Sequence, residues 1–366
     1  MIKVLMSSTT PMIKDGITNV MLNLYRYIDN KKIHVDFVTI NEPEKSIRNK
    51  ILNNGGKYTV IERSIKHPIR YIQNYSKVCK GYDIVHVHGN SATMFLEMCA
   101  AKMAGVRIRI GHSHNTYCRA KLIDKLFRIP FYTLCDSRLA CGKEAGEWLF
   151  GNRDFTIINN GIDSERFRFN EANRNRIREE LGWKDCKVIG HVGNFLPAKN
   201  HSYILDIFAE LNKKDTSYRL ILIGSGELVE EVQNKAIDLG VSEYVVFAGS
   251  VDNVEDYLSA IDLVLMPSIH EGLPLTLIEE QANGLSCIVS DNITKYADLT
   301  GNIKFISLNE KVSVWVNNIV IELKHVNSED RGSVSKDAIE TISLKHYDIH
   351  KSITILEKIY ENRLEK

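Results

Sequence analysis

The chain has 366 residues, 44% hydrophobic and 25% charged, with a formal net charge of +1. That length favours two domains over one, and the balance is that of an ordinary globular protein. No run of about 18 apolar residues occurs, so no spanning helix is expected. No nucleic-acid partner is expected.

The charge is unevenly spread. Residues 1–165 hold 24 Lys and Arg against 15 Asp and Glu, and residues 166–366 hold 23 against 31. A basic half and an acidic half point to different partners. The basic excess peaks over 102–128, where Lys102, Arg107, Arg109, Arg119, Lys121, Lys125 and Arg128 face a single acid, Asp124, with Leu122, Ile123, Leu126 and Phe127 interleaved. Either this stretch rests on an anionic membrane surface or it is a solvated helix face over a core. The start, MIKVLMSSTT, lacks a signal peptide's apolar core. The seven cysteines form no CxxC pair, which indicates free thiols in a reducing compartment. A cytoplasmic protein is expected, either free or peripheral on the inner face of the cell membrane.

Taken in order, strand-length apolar runs alternate with amphipathic helix-length ones. Strands are predicted at 2–6, 34–39, 57–61, 84–87, 107–111, 138–141 and 155–158, and helices near 18–27, 45–53, 68–80, 93–104, 121–134 and 143–150. Alternation of this kind specifies a doubly wound parallel sheet. Asn160-Gly161 then turns the chain, and the polar segment 163–179 reads as an inter-domain connection. The alternation restarts with strands at 188–192, 219–223, 244–248, 261–266, 287–290 and 303–306, and with helices such as 201–211 and 228–239. The fold class is therefore α/β, with two Rossmann-like domains. Ligands of such sheets bind beyond the carboxyl ends of the strands, so the site is expected in a cleft that the two domains face.

Loops after strands carry the candidate chemistry. The first strand lacks GxGxxG, but Gly16 precedes a helix and either admits a ligand phosphate or is a plain turn glycine. The fifth strand runs into Gly111-His112-Ser113-His114-Asn115. Its two histidines face the same way, and no nearby carboxylate or Cys completes a metal set, so hydrogen bonding to a sugar hydroxyl is the better reading. His86 and His88 form a second such pair, read as structural. In the second half, Gly193-Asn194-Phe195-Leu196-Pro197-Ala198-Lys199 puts a lysine where a helix begins, either as part of a diphosphate clamp or as a solvated loop residue. Gly224-Ser225-Gly226 marks at least a tight turn, and Gly249-Ser250-Val251 could lay backbone against a flat base.

The densest stretch is PSIHEGLPLTLIEEQANGLSCIVSD, residues 267–291. Pro274 suits a helix's first turn, and Asn283-Gly284 ends that helix. Glu271 lies in the loop and Glu279 just inside the helix. The N–H groups of the helix start lie between them, a natural seat for phosphate.

Together these motifs resemble glycosyltransferase family 4, retaining enzymes of the GT-B fold, and most closely the bacterial capsular and exopolysaccharide type. DIVHVHGN, RIGHSHN, IINNGIDSERF, HVGNFLPAKNH, LILIGSGE, YVVFAGSVDNV and EGLPLTLIEEQANG stand in the expected order over the whole chain. The resemblance implies domains at 1–167 (completed by a returning helix at about 346–366) and 168–345. It implies a nucleotide-sugar donor of the UDP type and a glycan or polyprenyl-diphosphate-linked oligosaccharide acceptor. Glu271 and the backbone of Gly272, Leu273, Pro274 and Leu275 would meet the sugar and phosphate, and Glu279 the ribose. Lys199 would neutralise the diphosphate, His114 would lie at the reaction centre, Gly16 would admit the phosphates, and Gly249, Ser250 and Val251 would frame the base. Asn194 stands where many relatives carry an arginine. No Asp-x-Asp metal site is evident, so neither a metal nor a cofactor is expected. The alternatives are a nucleotide-sugar 2-epimerase and a non-catalytic nucleotide-sugar-binding subunit.

Overall fold

The computed structural model describes residues 1–13, 15–64, 67–118, 121–326 and 330–364; Arg119 of the basic stretch lies outside them. The chain divides into two compact units, Met1–Gly161 with Ile349–Lys366, and Ile162–Asp348.

In the first unit the strands are β1 (Ile2–Ser8), β2 (Ile33–Thr39), β3 (Tyr58–Val60), β4 (Ile84–Gly89), β5 (Ile108–Ser113), β6 (Ser137–Ala140) and β7 (Thr156–Ile157). They form a parallel sheet in the order β3-β2-β1-β4-β5-β6-β7. Helices α1 (Gly16–Tyr27), α2 (Lys45–Asn53), α3 (Pro68–Cys79), α4 (Phe95–Met103), α5 (Lys121–Leu134) and α6 (Lys143–Phe150) make the crossovers. The Asp15 carboxylate caps α1 by accepting from the Thr18 N–H at 2.8 Å.

The second unit carries α7 (Glu171–Glu180), β8 (Lys187–Val192), α8 (His201–Asn212), β9 (Tyr218–Ile223), α9 (Val229–Asp238), β10 (Val245–Gly249), α10 (Val254–Ala260), β11 (Leu263–Met266), α11 (Leu275–Ala282), β12 (Ser286–Ser290), β13 (Ile303–Ile306), α12 (Val312–Val326) and α13 (Arg331–Leu344). Its parallel sheet has the order β10-β9-β8-β11-β12-β13. Leu263, Val264, Leu265 and Met266 of β11 are all fully buried, as expected of a strand covered on both faces. The strand order reverses between β8 and β11, and at such a switch point neighbouring loops part to leave a crevice.

The final helix, α14 (Ile349–Leu364), belongs to the first unit. Ile349, Ile353, Leu356 and Tyr360 fall on one stripe and join the core that holds Val20, Leu24 and Ile28. A large-to-small change in such a core costs about 2–5 kcal/mol.

Two stretches differ from the sequence reading. The polar connection 163–179 contains most of α7, an element of the second unit. It carries little apolar surface, but Arg174 and Arg178 pair with Asp262, at 2.6 and 2.5 Å, and Arg176 with Asp256 at 2.8 Å. Charge fastens this helix where an apolar stripe usually does. The stretch between β13 and α14, to which the sequence reading assigns no element, forms α12 and α13.

Candidate functional site

The site of the second unit is assembled by the loops after β8, β9, β10 and β11. After β8 the chain makes one tight turn at Pro197–Lys199, and Asn200 takes a left-handed conformation (φ 59°) before α8. Asn200 Nδ2 donates to the Pro267 carbonyl at 3.1 Å, and the Ile269 N–H donates to the Ala198 carbonyl at 2.8 Å. These two bonds tie the loop after β8 to the loop after β11. They bring Lys199 Nζ to 2.6 Å from Glu271 Oε1, across 72 residues of sequence, with side-chain exposures of only 17% and 14%. Gly193 makes room for this: a Cβ there would sit 2.9 Å from His191 Nε2 and 3.3 Å from the Lys199 side chain.

The loop after β9 nests into the same rim. A Cβ at Gly224 would lie 2.0 Å from the Gly193 carbonyl oxygen, and one at Gly226 2.6 Å from that of Phe195. The two glycines of the GSG turn thus permit a backbone-to-backbone approach, closed by the Phe195 N–H donating to the Ser225 carbonyl at 2.9 Å. The Gly224 N–H donates to Gly249 (2.8 Å) and Ser250 Oγ to Ser225 Oγ (2.9 Å), which adds the loop after β10. Asn194 and Gly249 are exposed on this rim, and Val251 is half-buried.

α11 begins at Leu275, so Pro274 is the capping residue (φ −74°, ψ 114°), one position earlier than the sequence reading. Asn283 and Gly284 end the helix as expected, with Gly284 at φ 75°. Gly272 is exposed, and Leu273 and Leu275 are half-buried beside the free N–H groups of the helix start. Glu279 is half-buried one turn in. Burial raises its carboxyl from 4.5 to about 8, with Arg166 opposing and Glu255 reinforcing.

Several buried polar atoms here have no hydrogen-bond partner among the described residues: His191 Nε2, both ring nitrogens of His201, Ser268 Oγ, Thr276 Oγ1 and both carboxyl oxygens of Glu280. Such atoms are rare in folded proteins and ask for a reason; here most lie on the loops and helix starts that meet at Lys199. Burial pushes the Glu280 carboxyl well above its usual range, Glu279 adding and Lys199 opposing. Burial and the neighbouring Lys199 lower His201 to about 4.

In the first unit, His114 follows β5 directly, and its Nε2 lies 2.8 Å from His88 Nδ1. His86 Nε2 lies 3.2 Å from His112 Nδ1, and His86 Nδ1 lies 2.7 Å from the Tyr360 hydroxyl on α14. The histidine pairs of β4 and β5 therefore form one cluster. Burial lowers all four, His86 and His114 to about 3, so the rings are neutral. Gly16 opens α1, and a Cβ there would meet no described atom within 4 Å. On α5, Leu122, Leu126 and Ile129 are 86%, 72% and 73% exposed, next to exposed Lys121 and Lys125, while Phe131 and Asp124 face inward.

The sequence model of Glycosyltransferase Family 4 matches residues 14–166, and that of Glycosyl transferases group 1 matches 173–312. Glycosyltransferase EpsF of Bacillus subtilis is 31% identical over 371 residues, covering 96% of this chain and 95% of its own. The chain belongs to glycosyltransferase family 4. A UDP-Gal:alpha-D-GlcNAc-diphosphoundecaprenol alpha-1,3-galactosyltransferase of Escherichia coli is 32% identical over 231 residues, 57% of this chain and 58% of that one. Among solved structures, Anabaena HepE in complex with UDP has a TM-score of 0.75 at 14% identity, over 99% of this chain and 100% of that one. That likeness is one of fold, the GT-B fold.

For this family 4 enzyme, the candidates Asn194, Lys199, Gly249, Ser250, Val251, Glu271, Gly272, Leu273, Pro274, Leu275 and Glu279 all lie in the second unit, on loops after its strands or on α11. Gly16 and His114 lie in the first. Sequence reasoning missed Glu280, His191 and His201. A second acid beside Glu279 and a histidine inside an apolar strand were the available signals. It also kept the two histidine pairs apart, although both sit at the carboxyl ends of successive strands.

Proposed function

We propose that this glycosyltransferase moves a sugar, with retention of configuration, from a nucleoside diphosphate donor of the UDP type to a glycan or polyprenyl-diphosphate-linked oligosaccharide in surface polysaccharide synthesis. The observation that carries the reading is the Lys199–Glu271 pair, held at 2.6 Å where four strand-end loops meet beside the start of α11. A departing diphosphate gains charge as its bond to the sugar breaks. Lys199 and the α11 N–H groups stabilise that charge most in the transition state, with no metal required in this reading. Glu271 holds both Lys199 and a sugar hydroxyl. Glu279, neutral below about pH 8, both donates to and accepts from the ribose hydroxyls. The backbone of Gly249–Val251 frames the base, with Asn194 beside the diphosphate.

The acceptor hydroxyl attacks the anomeric carbon from the face that the diphosphate leaves. The carbon–oxygen bond to the β-phosphate breaks, and a phosphate oxygen takes the acceptor's proton. The relatives whose names carry UDP and a diphosphoundecaprenol acceptor support this donor and acceptor class. The exposed Leu122, Leu126 and Ile129 beside Lys121 and Lys125 support peripheral contact of α5 with an anionic membrane.

Nucleoside diphosphate release, followed with UDP-sugars with and without a lipid-linked acceptor extract and in chelator, tests the reading. Acceptor-dependent release and an α-linked product from an α-linked donor are expected. Binding without release, or a β-linked product, would overturn it.

A further inference from the structure

We propose that the first unit holds a transition-metal ion of the zinc or cobalt class between His86, His88 and His112. One ring nitrogen from each lies within 4.8 Å of the others, and all three side chains are fully buried. The arrangement follows from the strands. His86 and His88 are two apart on β4 and share a face, and β5 pairs with β4 so that His112 stands directly beside His88. Two histidines two apart on a strand, with a third on its neighbour, present three imidazoles to one point.

Two observations favour a cation over a purely structural cluster. His88 Nε2 is buried without a partner among the described residues, although hydrogen bonds normally satisfy such atoms. The nitrogens already made use of are placed as metal ligands need them. His86 and His88 each engage an outer group through Nδ1, the Tyr360 hydroxyl at 2.7 Å and His114 at 2.8 Å, leaving Nε2 of both rings for the ion. His86 Nε2 and His112 Nδ1 are 3.2 Å apart, close to the edge of about 3.3 Å of a tetrahedral site with nitrogen arms of about 2.0–2.1 Å.

Imidazole donors suit zinc, copper, nickel and cobalt rather than magnesium or calcium. Loading replaces the direct His86–His112 contact and tilts two rings that are now within 7° of parallel. The ion ties β4, β5 and, through Tyr360, α14 together, and through His88 it fixes the orientation of His114. It takes no part in the diphosphate chemistry of the second unit and does not depend on the donor assignment.

The test uses the full chain, without a histidine tag, stripped with chelator and titrated with Co²⁺ and then Zn²⁺. One Co²⁺ per chain is expected, with the visible absorption of a nitrogen-ligated, near-tetrahedral ion, displaced by Zn²⁺. His88→Ala and His112→Ala should lose it, and His67→Ala, which removes an exposed imidazole, should keep it. Tyr360→Phe keeps the ring in the core and should weaken Zn²⁺ binding about 10–100-fold. No uptake by the folded wild-type chain, uptake that survives His88→Ala, or an unchanged affinity in Tyr360→Phe would each overturn the site.

Discussion

The second unit contains two clusters of charge that look alike in sequence and differ in how they are satisfied. In one, Asp262 accepts from Arg174 (2.6 Å), Arg178 (2.5 Å) and the Val188 N–H (2.8 Å). The guanidinium of Arg178 goes on to the carbonyls of Ala260 and Cys186, and Arg331 reaches those of Leu258, Ile261 and Asn283. Burial pushes the Asp262 carboxyl up, but Arg174 and Arg178 outweigh it and hold it below the usual carboxylate range. In the other cluster, Lys199 meets Glu271, while Glu280, His191 and His201 keep buried polar atoms without partners. The first is closed on itself and fastens α7 and α13 to the end of β11. The second is partly open, and openness of that kind suits groups that must still bind something. Charge density alone does not separate the two clusters; unmet hydrogen-bonding capacity does.

Four substitutions break or sharpen that contrast. The largest effect on the fold is expected from Asp262→Ala, which strands the buried Arg178 guanidinium and the half-buried Arg174 one. Urea unfolding should show a loss of about 3–5 kcal/mol, because removing one partner leaves uncompensated charge. Lys199→Ala should do the opposite, leaving the unfolding midpoint nearly unchanged and lowering turnover about 10²–10³-fold, as measured by steady-state kinetics.

Glu279→Gln should act through pH. The Glu279 carboxyl ionises near 4.5 in the unfolded chain and near 8 in the folded one. Its contribution to stability is therefore complete below pH 4.5 and is lost as pH rises through 8. The glutamine variant escapes that loss, so its Tm should exceed the wild-type value by more than about 4 °C at pH 8 and match it at pH 4.5. The smallest change is expected from Glu280→Leu. An unpartnered buried carboxyl exchanged for an apolar group of similar size should leave stability within about 1 kcal/mol, on the stabilising side, in the same urea assay.

Much of the architecture was legible. The strand runs and the glycines between them give both parallel sheets, and the spacing of Ile353, Leu356 and Ile359 marks the last helix. Glu271, Glu279 and Lys199 could be named because they follow strands, where loops bear function. Other features were hidden for physical reasons. α7 is held by ion pairs to Asp262 and Asp256, partners some 80 residues away, so no periodic apolar stripe announces it. Glu280 differs from Glu279 only in the direction it leaves the helix, a 100° step that decides between a half-buried and a fully buried acid. The four histidines read as two separate pairs until the pairing of β4 with β5 sets His88 beside His112.

The most direct test of the central claim, that the Lys199–Glu271 pair marks a diphosphate site, is calorimetric titration of UDP into the wild-type chain and into Lys199→Ala. The account predicts saturable binding to the wild type and affinity at least about tenfold weaker in the variant, with both proteins melting at the same temperature. Equal affinities in two equally stable proteins would contradict it.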